Sequence, residues 1–140
     1  MSFLADDALQ QKFVDALNAN EAFVTQATAF DGSILLEVDN DRLWLKIYRG
    51  KVIDFETDVP MFGYTFKLSG PEAHWKMLLS GERVWADLVF AGTRHFDDDP
   101  DLKTLGNMSS DISTEGNLLE AGRLTEATFE LAYTLKAVAA

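Results

Sequence analysis

Two histidines, a run of aspartates and a scatter of serines are the residues in this chain whose chemistry could reach beyond packing. General acid–base work requires a group within hydrogen-bond reach of a partner. His74 stands beside Trp75 in a segment with helical spacing, at a position expected to face solvent, and His95 opens the stretch HFDDDPD. Neither has a partner evident from spacing. His95 with Asp97, Asp98, Asp99 and Asp101 could offer a divalent cation one imidazole and several carboxylates. The cluster lacks the alternating ligands and the distant bidentate glutamate of a calcium loop, so it reads as a solvated acidic loop and no metal is expected. Ser69, Ser80, Ser109, Ser110 and Ser113 fit neither a G-x-S-x-G elbow nor an S-x-x-K arrangement. No phosphate-cradling loop and no G-x-G-x-x-G occurs, and Asp39 and Asp41 around Asn40 are turn chemistry. The expectation is no catalytic residue and no cofactor.

Charge narrows the partners. Twelve basic residues against 23 acidic ones leave a net charge of −11, with no basic cluster standing apart. Nucleic acids require a basic footprint and anionic membranes repel an acidic surface, so neither partner is expected. The acidity reads as a solubility device. No apolar run approaches the roughly 20 residues of a membrane span. The opening MSFLADDALQ has no basic segment ahead of an apolar run, and there is no cysteine for a disulfide or a thiolate metal site. A cytoplasmic protein folding as one domain over residues 1–140 is the default expectation.

The elements that would position any site follow from periodicity. Leu9, Phe13 and Leu17 mark an amphipathic helix from Asp7 to Leu17, and Phe23, Val24, Ala27 and Phe30 leave a second short helix open. From Ile34 to Glu56 the pattern is a β-meander. Its middle strand turns Leu43, Leu45 and Ile47 inward and Trp44, Lys46 and Tyr48 outward. Tyr64, Phe66 and Leu68 then alternate as a strand, and a helix follows at once. Ser69 or Gly70 could cap that helix, Pro71 suits its first position, Trp75, Leu78 and Leu79 share a side, and Gly81 can stop it. The stretch from Glu82 to Gly92 is open between helix and strand, and Leu102 to Leu105 is expected to form one helical turn. Asp111 to Glu115 could be a last strand. Asn117, with Glu120 three residues on, opens a long C-terminal helix striped with Ala121, Leu124, Thr128, Leu131, Leu135 and Val138.

This layout resembles the sterol carrier protein-2-like (SCP2) domain. The matching residues are Phe66-Lys67-Leu68-Ser69 and Trp75-Lys76-Met77-Leu78-Leu79-Ser80-Gly81, together with Ile112-Ser113-Thr114-Glu115-Gly116-Asn117 followed by Ala121 and Leu124. Asp41 to Val52 is similar to the family's second and third strands. The resemblance runs from Phe13 to Val138, and residues 82–111 depart from it, being longer and more acidic than the usual link. It implies an α/β (α+β) fold: a five-stranded, mainly antiparallel sheet with helices packed on one face. It also implies an apolar tunnel between sheet and helices for fatty acyl chains, sterols or similar lipids. Phe55, Phe66, Leu68, Trp75, Leu78, Leu79, Leu131 and Leu135 would converge there as ligand-binding residues. The same residues would equally fill a closed core. Two other classes stay open: an interaction or homodimerisation module marked by exposed Trp44, Tyr48 and Trp85, and a small enzyme with an acid/base group inside the cavity.

Overall fold

The alternation between Ile34 and Glu56 becomes a three-stranded antiparallel meander in the computed structural model, which describes residues 2–89 and 111–139. β1 (Asp31–Val38) pairs with β2 (Asp41–Tyr48), and β3 (Lys51–Glu56) pairs with the far side of β2. Arg49 (φ 52°) and Gly50 (φ 82°) supply the two left-handed positions of a tight hairpin turn. A Cβ on Gly50 would run into the Val24 carbonyl, so glycine is needed there twice over. An irregularity opposite Lys46 and Ile47 leaves Ile53 turned to solvent.

β4 (Phe66–Gly70) returns on the other side of β1 and runs parallel to it, with Phe66 beside Ile34 and Leu68 beside Leu36. β5 (Ser113–Gly116) pairs antiparallel with β4, giving the order β3-β2-β1-β4-β5. The sheet is therefore mixed, α+β in class, and mainly antiparallel as expected. To reach β4 from the opposite edge, residues 57–65 cross the outer face of the sheet. Trp44 donates its Nε1–H to the Gly63 carbonyl at 3.2 Å and stacks edge-on with Phe62 at 5.5 Å. Trp44 is on the outer face as expected, but the crossing corrects the expectation that it is exposed: it is only 2% exposed, while Tyr48 stays 43% exposed.

Ile34, Leu36, Val38, Leu43, Leu45, Ile47, Phe66 and Leu68 face inward under the helices. α1 (Asp7–Ala19) and α2 (Glu21–Gln26) precede the meander; α3 (Glu72–Ser80) leaves β4 directly, and α4 (Trp85–Val89) resolves the open reading as helix. α5 (Leu118–Arg123) and α6 (Thr125–Ala139) replace the single C-terminal helix expected, with the break at Leu124. α6 is the hub of the layer and touches α1, α2 and α3. Ser69 and Gly70 belong to β4, because Ser69 pairs with Ser113, so neither caps the helix. Pro71 itself is the N-cap and has no capping side chain; Asp39 substitutes from a distance, its carboxylate accepting the Glu72 N–H at 3.2 Å. Gly81 (φ 83°) ends α3 in the left-handed conformation. Asn117 caps α5 through the Glu120 N–H at 3.1 Å. His95, the aspartates 97–101, Leu102 to Leu105, Ser109 and Ser110 lie outside the described residues. Among the described residues no helix is long and apolar enough to cross a membrane.

Asn18, near the end of α1, mimics a strand against the free edge of β3. Its Oδ1 accepts the Val52 N–H at 2.7 Å and its Nδ2 donates to the Val52 carbonyl at 3.1 Å. Asn18→Ala strips both partners from that half-buried edge and is expected to lower stability by about 1–3 kcal/mol. Urea unfolding should show a lower midpoint at an unchanged slope.

Candidate functional site

The period of two on β4 puts Phe66 and Leu68 on the inner face, and pairing sets Thr114 of β5 beside Leu68 on that same face. Beyond this corner of the sheet the helix cover thins. α5 presents Ala121 and Gly122, and α6 presents Thr125 and Thr128, all small side chains. Trp85 and Val89 of α4 close the opposite side, and Leu118 stands at the rim, 61% exposed. The space left between these walls is a cleft of about 350 Å³. It opens where the residues that β5 and α5 turn to it, Thr114, Ala121 and Gly122, are small, while Leu118 reaches only the rim.

Three further depressions, of about 370, 380 and 270 Å³, are of similar size but different chemistry. One is walled by Asp39, Ser69, Asp111 and Ser113, the second by Asp54, Glu56 and Asp58 beside Trp44 and Phe62, and the third by Gln10, Asn40, Asp41 and Arg42. Size therefore does not choose among them. Lining does, because among these four the first cleft is the one whose described lining residues are mostly apolar and carry no charge.

All eight residues expected at a ligand site fall in or against one apolar cluster. Phe66 and Leu68 line the cleft. Trp75 stands one layer behind, stacked on Trp85 at 5.7 Å with its Nε1–H donated to the Glu37 carbonyl at 3.2 Å. Leu78, Leu131 and Leu135 are buried in the core, and Phe55 and Leu79 are half-buried against it. Trp85, Val89, Thr114, Leu118, Gly122 and Thr125 line the cleft without being expected at a ligand site, and Ala121 and Thr128 do so although they are expected on the C-terminal stripe and not at a site. Trp85, expected at a surface, is 1% exposed. The signal within reach was Ala121-Gly122, a pair of small residues on a helix that must face a sheet. His74 is not on the cleft wall and does not face solvent freely. Its Nδ1 lies 2.8 Å from the Asp111 carbonyl, which can only accept, so Nδ1 carries the proton and braces the approach to β5.

The charged network lies on the other face of the sheet. Glu37 accepts from the Ser69 hydroxyl at 2.7 Å and from Arg42 Nε at 3.1 Å, and Lys67 Nζ sits 2.8 Å from Glu115 and 3.9 Å from Glu37. Burial pushes the Glu37 carboxyl up, but Ser69, Lys67 and Arg42 outweigh it and hold the carboxyl below the usual range. The hydrogen bond to Glu115 raises the Lys67 ammonium, against desolvation and with help from Glu37.

No family model matches the sequence, and no curated protein matches it in sequence. Solved structures do match in shape. A crystal structure of sterol carrier protein 2 superposes with a TM-score of 0.64 at 18% identity, covering 96% of this chain and 98% of the other. The chain has the sterol carrier protein 2 fold. The solution structure of a conserved hypothetical protein from Thermus thermophilus superposes at 0.61 and 17% identity, covering 96% of this chain and 89% of that one. Sterol carrier protein 2 from Yarrowia lipolytica, in its apo form, gives 0.53 at 11% identity, with 97% and 95% covered. At such identities the likeness speaks for the sterol carrier fold and leaves the ligand to the residues of the cleft.

Because the Glu37 carboxyl is more acidic folded than unfolded, its contribution is present above the unfolded pKa and is lost as pH falls through the lower folded value. Glu37→Gln should cost about 1 kcal/mol at neutral pH. It should also flatten the loss of stability on acidification relative to the parent. Denaturant midpoints from pH 7 down to pH 3 check this, and parallel curves for the two proteins would contradict it.

Proposed function

We propose that this chain binds an apolar small molecule, such as a fatty acyl chain, a sterol or a similar lipid, and carries or presents it without transforming it. The observation that carries the reading is the cleft of about 350 Å³ between β4–β5 and α4–α6, whose walls hold no charged side chain among the described residues. Pockets of roughly 300–1,000 Å³ with mostly apolar linings and few polar anchors are the ordinary form of a small-molecule site. Two of the structural neighbours are named as sterol carrier protein 2, which supports the same reading. Phe66, Leu68 and Trp85 would hold the ligand directly. Phe55, Trp75, Leu78, Leu79, Leu131 and Leu135 form the packed layer into which a longer ligand would extend. The acidic, cysteine-free composition supports a cytoplasmic carrier acting as one domain.

The interaction-module alternative loses two of its three marker residues, since Trp44 and Trp85 are both buried. Native mass spectrometry of the purified protein should show a co-purifying lipid mass.

Gly122 provides a sharper test. A Cβ there meets nothing within 4 Å, so a larger side chain fits on this lining residue of the cleft without a clash. Gly122→Leu should weaken binding of a fluorescent fatty-acid probe by about tenfold or more. The same change should leave stability unchanged or raise it by up to about 1 kcal/mol, because glycine is a poor helix former. Probe binding untouched by this plug would sink the assignment of the cleft.

A further inference from the structure

We propose that the turn crossing the outer face of the sheet is a docking surface for a basic peptide segment of a partner protein, one that carries apolar side chains among its arginines or lysines. This surface is separate from the ligand cleft and does not depend on what the cleft holds.

The turn is built to present apolar side chains. Gly63 donates its N–H to the Pro60 carbonyl at 2.9 Å, which closes residues 60–63 into a hydrogen-bonded turn with Met61 and Phe62 at its tip. Trp44 fastens this turn to β2 through the Gly63 carbonyl and stacks against the Phe62 ring. Met61 is fully exposed and Phe62 is 78% exposed. Turn positions ordinarily go to glycine, proline, asparagine, aspartate or serine. Methionine and aromatic rings are enriched at protein interfaces instead. The burial of Trp44 thus passes the apolar surface of this face on to Phe62. Because the turn is closed and anchored, little ordering remains to oppose binding.

Charge around the turn chooses the occupant. Against it lies a groove of about 380 Å³ with Trp44, Val59, Pro60 and Phe62 as its apolar walls. The carboxylates of Asp54, Glu56 and Asp58 complete the lining. Neighbouring cations are engaged elsewhere: Lys46 Nζ lies 2.9 Å from Asp31 and Arg42 Nε 3.1 Å from Glu37, with a looser 3.6 Å contact from Arg42 to Asp58. Among the described residues Asp54 and Glu56 have no cationic partner. An incoming arginine or lysine can lay its stem along the rings and set its head group at the carboxylates. The same carboxylates repel nucleic acid and anionic membranes, and a second copy of this chain would set −11 against −11. Strand addition at the β3 edge is opposed too. Asn18 holds the Val52 N–H and carbonyl there, and the Asp54 carboxylate accepts the Phe55 N–H at 2.9 Å. A partner on this side meets the side chains of the turn and groove.

The test titrates the isotope-labelled full chain with a short peptide alternating arginine and leucine and maps the shifted resonances. Shifts should concentrate on residues 54–63 and the Trp44 indole N–H, and affinity should fall as salt is raised. Phe62→Ser should weaken the peptide about tenfold, and Met61→Ser about three- to tenfold. Met61 is fully exposed, so its variant keeps the test valid even where loss of the Phe62 stack loosens the turn. Glu56→Lys should weaken the peptide about tenfold. Peptides alternating glutamate with leucine, or arginine with serine, should bind about tenfold or more weakly than the first. Binding of the fluorescent fatty-acid probe should be the same in all three variants and the parent. Shifts spread over the acidic surface or confined to the cleft would overturn the inference, as would equal binding of the arginine–serine peptide or no binding at about 1 mM. Attachment to phosphatidylcholine vesicles, or a dimer in sedimentation, that disappears in Met61→Ser and Phe62→Ser would assign the turn to a membrane or to a second copy and overturn it equally.

Discussion

The parallel pairing of β4 beside β1 is the constraint on which the rest of this structure depends. A meander that ended at β3 would leave β1 as an open edge. Bringing β4 to that edge requires the chain to travel back over the sheet. Residues 57–65 make the journey across the outer face, and Trp44 is buried as a result. It also delivers the chain directly into α3, whose Trp75 reaches back to the Glu37 carbonyl on β1 and so ties helix to sheet. β4 can then accept β5 on its free side, and the cleft exists because this last, short strand has few side chains to bury.

The domain is therefore packed unevenly, and the unevenness has a cause in residue size. At the centre, Phe13, Leu17, Phe23, Leu131 and Leu135 close on Ile34, Leu36, Leu43 and Leu45 with almost no exposure. Such interiors approach the density of organic crystals, and an empty space in them forfeits contacts. At the β4–β5 corner the facing residues are Thr114, Ala121, Gly122 and Thr125, too small to meet. The central core supplies the stability, which leaves the corner free to stay open. The charged groups are kept apart from it on the other face, where Glu37, Lys67 and Glu115 satisfy one another.

Much of this was legible from periodicity, and the parts that were not have tertiary origins. The meander and the hand-over from Phe66 to Gly81 announce themselves, because period two changes to helical spacing within a few residues. Trp44 could not be placed, since its burial comes from a loop that crosses from the opposite edge. Trp85 sits in a five-residue helix too short to show a pattern, and it is buried by stacking on Trp75. Ser69 and Gly70 have the chemistry of caps, yet pairing with β5 claims them for the strand. The cleft itself was only half visible. Patterns of large apolar residues locate walls such as Phe66 and Leu68, whereas an opening is made by small residues that such patterns pass over.

The central claim is that an apolar ligand occupies the corner between β4–β5 and α4–α6. Photolabelling with a long-chain probe carrying a diazirine, followed by peptide mapping, tests it most directly. The account predicts adducts concentrated on α5 and the first turn of α6, from Leu118 to Thr128, with others on β4 at Phe66 to Leu68. Adducts concentrated instead on the crossing loop at Met61 and Phe62, or spread evenly over the surface, would contradict it.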